Sequence, residues 1–181
     1  YRSPVDIVYH GDNEVDTAGT SKVDAQIEYP TIVGLAYGYE FTDTLRAEAN
    51  VEWLEFSTYQ NLNIKDTRPG WSMTVPQNLK DTWTAGVGMA WNFKPQWTLR
   101  SGFMYLNNPT PEKTYGPLGP DEDQGVISLG LGYETGHHAI DLGYAYGLFD
   151  GRTINGNQVA VHNGEYDYNV HLVSLSYGYK F

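Results

Sequence analysis

Cysteine is missing altogether from this 181-residue chain, which excludes disulfide frameworks, thiolate metal sites and cysteine nucleophiles together. Also missing is any apolar run of about 18 residues, so neither a membrane-spanning helix nor an uncleaved secretory leader is expected. Basic side chains are scarce: 11 Lys and Arg stand against 22 Asp and Glu, a net charge of −11. That balance repels a phosphate backbone and argues against nucleic acid as a partner. Apolar residues at helical spacing are hard to find, which argues against helices. What the chain does contain is aromatic and small: 15 Tyr, 5 Trp and 20 Gly, with 40% hydrophobic content overall. That is enough for one domain, taken as residues 1–181, and too much for a disordered chain.

Large apolar residues alternate with small or polar ones over segments of about ten residues, the signature of β-strands with two different faces. At the C-terminus Val173, Leu175, Tyr177, Tyr179 and Phe181 share one face, while Ser174, Ser176, Gly178 and Lys180 share the other. Ile140, Leu142, Tyr144, Tyr146 and Leu148 alternate in the same way with Ala139, Asp141, Gly143, Ala145 and Gly147. Equivalent patterns occupy 126–133, 97–105, 83–93, 45–53 and 33–41, and residues 1–9 are added to give eight expected strands. Short connections at 42–44, 94–96 and 135–137 alternate with long polar ones at 11–28, 58–80, 107–123 and 150–167. An all-β antiparallel up-and-down meander follows, ragged at one end and trim at the other.

Alternation alone does not say whether the bulky face looks into a sealed core or out into lipid. Three features point to lipid. Long and short connections alternate as in outer-membrane barrels. Aromatics collect near strand ends, where interfacial belts sit. The small-residue face carries Arg46, Glu48, Asn50, Glu52, Arg100 and Asp141 at mid-strand, which a wet lumen tolerates and a dry core does not. A soluble lipocalin-like barrel is the competing architecture, distinguished by solubility without detergent. The expected setting is therefore the bacterial outer membrane, with its lipid and lipopolysaccharide as surroundings.

Several stretches carry a family resemblance. Tyr1-Arg2-Ser3-Pro4-Val5 opens the chain; Tyr29-Pro30-Thr31 precedes Gly34, Ala36 and Tyr37; and Trp53-Leu54-Glu55-Phe56-Ser57 runs on to Tyr59. Trp97-Thr98-Leu99-Arg100-Ser101-Gly102-Phe103 is followed by Asn108-Pro109-Thr110-Pro111 and then Pro120-Asp121-Glu122-Asp123. In this order and spacing they resemble the FadL/TodX family of outer-membrane transporters for long-chain fatty acids and aromatic hydrocarbons. The final Tyr177, Tyr179 and Phe181 likewise resemble the terminal signal of outer-membrane barrels. The resemblance covers the whole chain but only the later part of the family's length. It implies a fourteen-stranded barrel whose N-terminal hatch and about six strands lie outside this sequence, and passive transport of a hydrophobic small molecule. Where the family often has Arg after its P-D-x-D motif this chain has Gln124, and where it has a basic ligand contact before the strand at Thr82 this chain has Val75 and Pro76, with Lys80 nearby.

No catalytic constellation, metal site or cofactor motif emerges. His137 and His138 sit on a short turn, with His10, His162 and His171 in or near loops or strand ends, where solvated or interfacial roles are expected. The acidic run Asp121-Glu122-Asp123 reads either as a solvated turn or as a site for divalent ions that bridge lipopolysaccharide. For a fatty acid the tail gains about 0.8 kcal/mol per buried methylene, and the carboxylate calls for a cationic donor. Arg100 is the first candidate anchor and Arg46 the second. Each has a competing role in a cross-lumen ion network, Arg100 with Asp141 and Arg46 with Glu48 or Glu52. Lys80, Leu54, Phe56, Trp71 and Met104 complete the candidate ligand-binding set, the apolar loop residues as an access groove or as rim anchors. The alternative function is a non-transporting scaffold or adhesin whose loops bind a protein partner.

Overall fold

A computed structural model describes residues 1–116 and 121–181; Pro120, which opens the acidic motif, lies outside them. The described residues form thirteen strands: β1 (Val5–Val15), β2 (Gly19–Tyr29), β3 (Ile32–Thr42), β4 (Leu45–Leu54), β5 (Asn61–Asp66), β6 (Met73–Pro76), β7 (Thr82–Lys94), β8 (Trp97–Leu106), β9 (Gln124–Thr135), β10 (His138–Phe149), β11 (Arg152–Ile154), β12 (Gly164–Tyr166) and β13 (Asn169–Tyr179). Seven of them make one antiparallel wall in the order β3-β4-β7-β8-β9-β10-β13. The 12 residues of β9 reach about 40 Å, so a strand tilted by roughly 45° crosses the ~25 Å apolar band of an outer membrane.

Three tight turns close one end of the wall. At the first, Thr42 Oγ1 accepts hydrogen bonds from the backbone N–H of Thr44 and Leu45 at 3.2 and 3.1 Å. At the third, Gly136 takes φ +54°, a conformation that side-chain-bearing residues resist.

The wall corrects the expected strand count. Residues 1–9 are not an eighth wall strand. Val5–Val15 pairs with Gly19–Tyr29 in a separate four-stranded sheet ordered β1-β2-β5-β6. Arg2 meets the wall, exchanging backbone hydrogen bonds of 2.8 and 3.0 Å with Ile32. Residues 11–28 and 58–80, expected as loops, hold β2, β5 and β6. β2 does alternate, Val23, Ala25, Ile27 and Tyr29 against Lys22, Asp24, Gln26 and Glu28, and Leu62 and Ile64 of β5 alternate with Asn61, Asn63 and Lys65, but the runs are short on large apolar residues and lie in polar surroundings that read as connections.

The two faces of the wall differ as the sequence requires. Leu35, Leu142 and Leu175 are 73%, 51% and 75% exposed, far too open for a sealed core. The opposite face is the more crowded one: Gly132 and Gly147 are buried, and Ala139, Asp141 and Gly143 are half-buried. The small residues therefore lie on the concave side, facing a lumen, and the bulky ones on the convex side. Around the tight-turn end of the convex side runs an aromatic belt, with ring centroids 5.8 Å apart for Trp91–Phe93, 6.5 Å for Phe93–Trp97 and 4.7 Å for Trp97–Tyr133. Nearer the long-loop end Tyr144 and Tyr146 flank His171, while Trp53 stands opposite Trp83. Two aromatic levels separated by aliphatic residues match the two interfaces of a bilayer. Among the described residues the largest fully buried side chains, Tyr115, Ile154 and Glu122, lie outside the wall, in the long connections.

Candidate ligand trough and its cap

Strand register aligns the lumen-facing cations. Arg46 on β4 stands opposite Ala90 on β7, Ala90 opposite Arg100 on β8, and Arg100 opposite Gly130 on β9. One strand separates the two arginines, which places their backbones about 10 Å apart at the usual ~4.8 Å strand spacing. Between the two arginines the intervening strand offers the small residues Gly86, Gly88 and Ala90 to this face. A trough of about 620 Å³ opens there, lined among others by Arg46, Glu48, Asn50, Arg100, Met104, Val126 and Ser128.

Arg100 Nη1 donates to Asp141 Oδ1 at 2.6 Å. A Cβ on Gly132 would stand 2.7 Å from that oxygen and 2.8 Å from that nitrogen, so the pair occupies the space that glycine leaves free. Arg46 Nη2 lies 3.6 Å from Glu48 Oε2. The Arg100 and Asp141 side chains are 49% and 43% exposed. Exposed pairs of this kind are worth about 0–1 kcal/mol.

The other candidate residues lie elsewhere. Leu54 ends β4 at the long-loop rim, opposite Ile32 and Thr82, and Phe56 follows in the 3-10 turn Phe56–Thr58. Lys80 donates its backbone N–H to the Pro109 carbonyl at 2.9 Å. Trp71 lies 4.4 Å beneath the Arg68 guanidinium, beyond the wall in the connection between β5 and β6. The structure thus gathers Arg46, Arg100 and Met104 and leaves these four outside the trough. It adds Asn50, Val126 and Ser128, which counting in twos from Arg46 and from Gly130 finds. The histidines make local contacts: His10 with Asp24 at 2.6 Å, His137 with the Lys180 carbonyl at 2.9 Å, and His138 with the Tyr177 hydroxyl and His171 with the Tyr144 hydroxyl at 2.8 Å each.

A family profile described as "Outer membrane protein transport protein (OMPP1/FadL/TodX)" matches residues 1–181. The chain belongs to this family. Long-chain fatty acid transport proteins of Salmonella typhi and Escherichia coli K12 are 23% and 22% identical over 133 residues, 73% of this chain but only 29% and 28% of theirs. The chain therefore spans less than a third of these relatives. A solved Pseudomonas aeruginosa FadL homologue superposes with a TM-score of 0.75 at 28% identity, covering 89% of this chain and 38% of that one. The Pseudomonas putida toluene transporter TodX gives 0.65 at 15% identity, covering 99% and 42%, and so supports the fold alone. Family members are bacterial outer-membrane barrels, a class whose walls turn an apolar face to lipid and whose long connections lie outside the cell.

In this FadL/TodX-family wall those outer connections interlock as a cap. Arg152, at the start of β11, donates to Asn108 Oδ1 at 3.3 Å, to the Asp121 carbonyl at 3.1 Å and to the Thr110 carbonyl at 2.8 Å. Its guanidinium also lies 5.1 Å from the Tyr115 ring centre. A cation reaches the acidic motif after all, from a different loop than the family position held here by Gln124. Asp121 accepts from Thr110 through backbone and hydroxyl, yet burial outweighs these bonds and pushes its carboxyl up. Asp123 is also raised by burial, but bonds from the Asn108 backbone, Tyr105 and the Asn108 side chain outweigh it and hold the carboxyl below its ordinary range.

On the cap's far side Glu112 Oε1 accepts the backbone N–H of Asn155 and of Gly156, each at 2.6 Å. Those two bonds, Asn155 first, hold its carboxyl below the usual range. A depressed carboxyl stabilises the folded form above its unfolded value and loses that contribution as pH falls through the depressed one. Glu112→Ala is therefore expected to speed amide exchange at Asn155 and Gly156 by about tenfold at neutral pH, with little difference from wild type in strong acid, as read by hydrogen–deuterium exchange.

Proposed function

We propose that the protein to which this chain belongs moves hydrophobic small molecules, long-chain fatty acids or related hydrocarbons, passively through the outer membrane, and that residues 1–181 act as one portion of its barrel domain. The single observation that carries this reading is the convergence of Arg46, Arg100 and Met104 on one lumen-facing trough. Arg100 anchors the carboxylate and Arg46 assists, while Met104 and Val126 border the tail. Lys80, Leu54, Phe56 and Trp71 serve the approach at the rim. The names of the relatives agree with this substrate class. The role is conduction rather than catalysis.

Strand parity supports a barrel completed by further strands. β3 and β13, the two edges of the seven-stranded wall, both run from the long-loop end to the tight-turn end. Direct closure would pair them in parallel, and an open edge is not tolerated in lipid. An odd number of additional strands restores antiparallel pairing, and seven, rather than the six expected from sequence, bring the total to the family's fourteen. The two backbone bonds between Arg2 and Ile32 mark where the first of them meets β3.

Uptake of labelled oleate in a deletion strain tests the function. Restored uptake supports transport, whereas an assembled protein that restores none favours the scaffold reading. The anchor has its own test. Arg100→Glu is expected to weaken oleate binding about ten- to hundredfold, because a hydrogen bond to a charged group is worth about 1.5–3 kcal/mol. Toluene binding should be little changed. Undiminished oleate affinity in an assembled barrel would remove Arg100 from the anchor role.

A further inference from the structure

The cap encloses a carboxyl group that no described residue satisfies. Glu122 is 2% exposed, and neither of its oxygens has a hydrogen-bond partner among the described residues; the hydroxyls of Tyr115 and Tyr168 are buried and equally unpartnered. Asp121 and Asp123 adjoin Glu122 on its own segment. Asp150 and Arg152 face it from the β11 side, Asp167 and Tyr168 from the segment before β13, and Tyr115 from the other side, its own ring packed on Tyr166 with centres 4.8 Å apart. Among the described residues, the carboxylates of Asp121, Asp150 and Asp167 thus oppose one cation. That cation, Arg152, directs its N–H groups to neutral acceptors, the Asn108 amide oxygen and the carbonyls of Asp121 and Thr110.

An ionised carboxylate in this position lacks donors and meets like charge. A neutral carboxyl group carries an O–H of its own, tolerates a phenol beside it, and costs far less to bury. Burial of Glu122 and its protonation are therefore coupled.

We propose that Glu122 is a protonation-operated lock on the extracellular cap. Neutral, it stays buried and keeps the connections 107–116 and 150–168 docked on one another. Ionised, it moves toward water and the cap loosens at the outer mouth of the wall. Burial first, then the nearby carboxylates, raise its pKa against the pull of Arg152. For a carboxyl group raised on folding, the stabilisation is complete below the unfolded value and is lost as pH climbs through the folded one. The cap is accordingly tightest in mild acid. Nothing in this proposal depends on which molecule the barrel carries.

Hydrogen–deuterium exchange of the whole assembled protein, without ligand and corrected for intrinsic pH dependence, decides it. From about pH 5 to about pH 8.5, protection of 121–123 and 150–154 should fall by about tenfold or more, since one pKa unit of coupling is a factor of ten. Protection of β10 should stay constant. Glu122→Gln, which cannot ionise, should keep the acid-level protection throughout. Protection that is flat in wild type overturns the proposal, as does a step that persists in Glu122→Gln. Should that variant fail to assemble, Glu122→Met replaces it, and a step that persists there is equally fatal.

Discussion

Arginine in place of Leu142 is expected to cost the assembled barrel about 2–4 kcal/mol, roughly a thirtyfold to eight-hundredfold loss in folding equilibrium, because it sets a charge near mid-depth on the lipid face. Leu142 pairs with Leu175 on β13 and with Leu131 on β9, so three leucines meet acyl chains at one level. Ser174, the neighbour of Leu175, lies at the same depth on the other face, opposite Gly143. Ser174→Arg should therefore cost less than about 1 kcal/mol, since a lumen-facing charge keeps its water. Reversible urea unfolding in lipid, followed by the gel shift of folded barrels, measures both variants. Equal costs, or a larger cost at Ser174, would contradict the orientation of the wall.

The second large effect concerns the cap. Arg152→Ala removes the donor to Asn108, Thr110 and Asp121, which strands three acceptors in part-buried positions and takes away the cation beside Glu122. A buried network that loses its central partner typically forfeits about 3–5 kcal/mol. The loss should be confined to the outer connections. Protease cleavage within 107–116 and 150–168 should accelerate at least about a hundredfold, while the unfolding midpoint of the wall stays near that of wild type. Cleavage at the wild-type rate would mean that Arg152 does not hold the cap.

The lumen cations show how far register extends what pattern begins. The two-residue period already placed Arg46, Arg100 and Asp141 on the small-residue face, and the Arg100–Asp141 pair was foreseeable as one member of an ion network. That Arg46 and Arg100 share one line across β7 required knowing that Arg46 opposes Ala90 and Ala90 opposes Arg100. A slip of one residue in either pairing would have sent an arginine to lipid.

Legibility was poorest where water covers both faces of a strand. β1 reads Val-Asp-Ile-Val-Tyr-His-Gly-Asp-Asn-Glu-Val: Val5, Ile7 and Tyr9 share a face as a wall strand's residues would, and nothing local says that its partner is β2 rather than β3, so the pattern alone predicts a short wall strand and a loop where the structure has a hairpin. Arg152, the one Lys or Arg between 150 and 167, was visible as a lone cation in a polar stretch. Its partners at 108, 110 and 121 were not, because they lie roughly 30 to 45 residues upstream.

What the sequence by itself determined is which residues meet lipid and which meet the lumen, along with where the wall strands turn. Two solvents acting on opposite faces impose a local period of two that any ten residues reveal. Only the tertiary structure decided the seven-strand parity of the wall, the trough between Arg46 and Arg100, and the Arg152–Glu122 cap. Each depends on pairings between distant segments, where hydrogen-bond geometry and burial, rather than local alternation, select the partner.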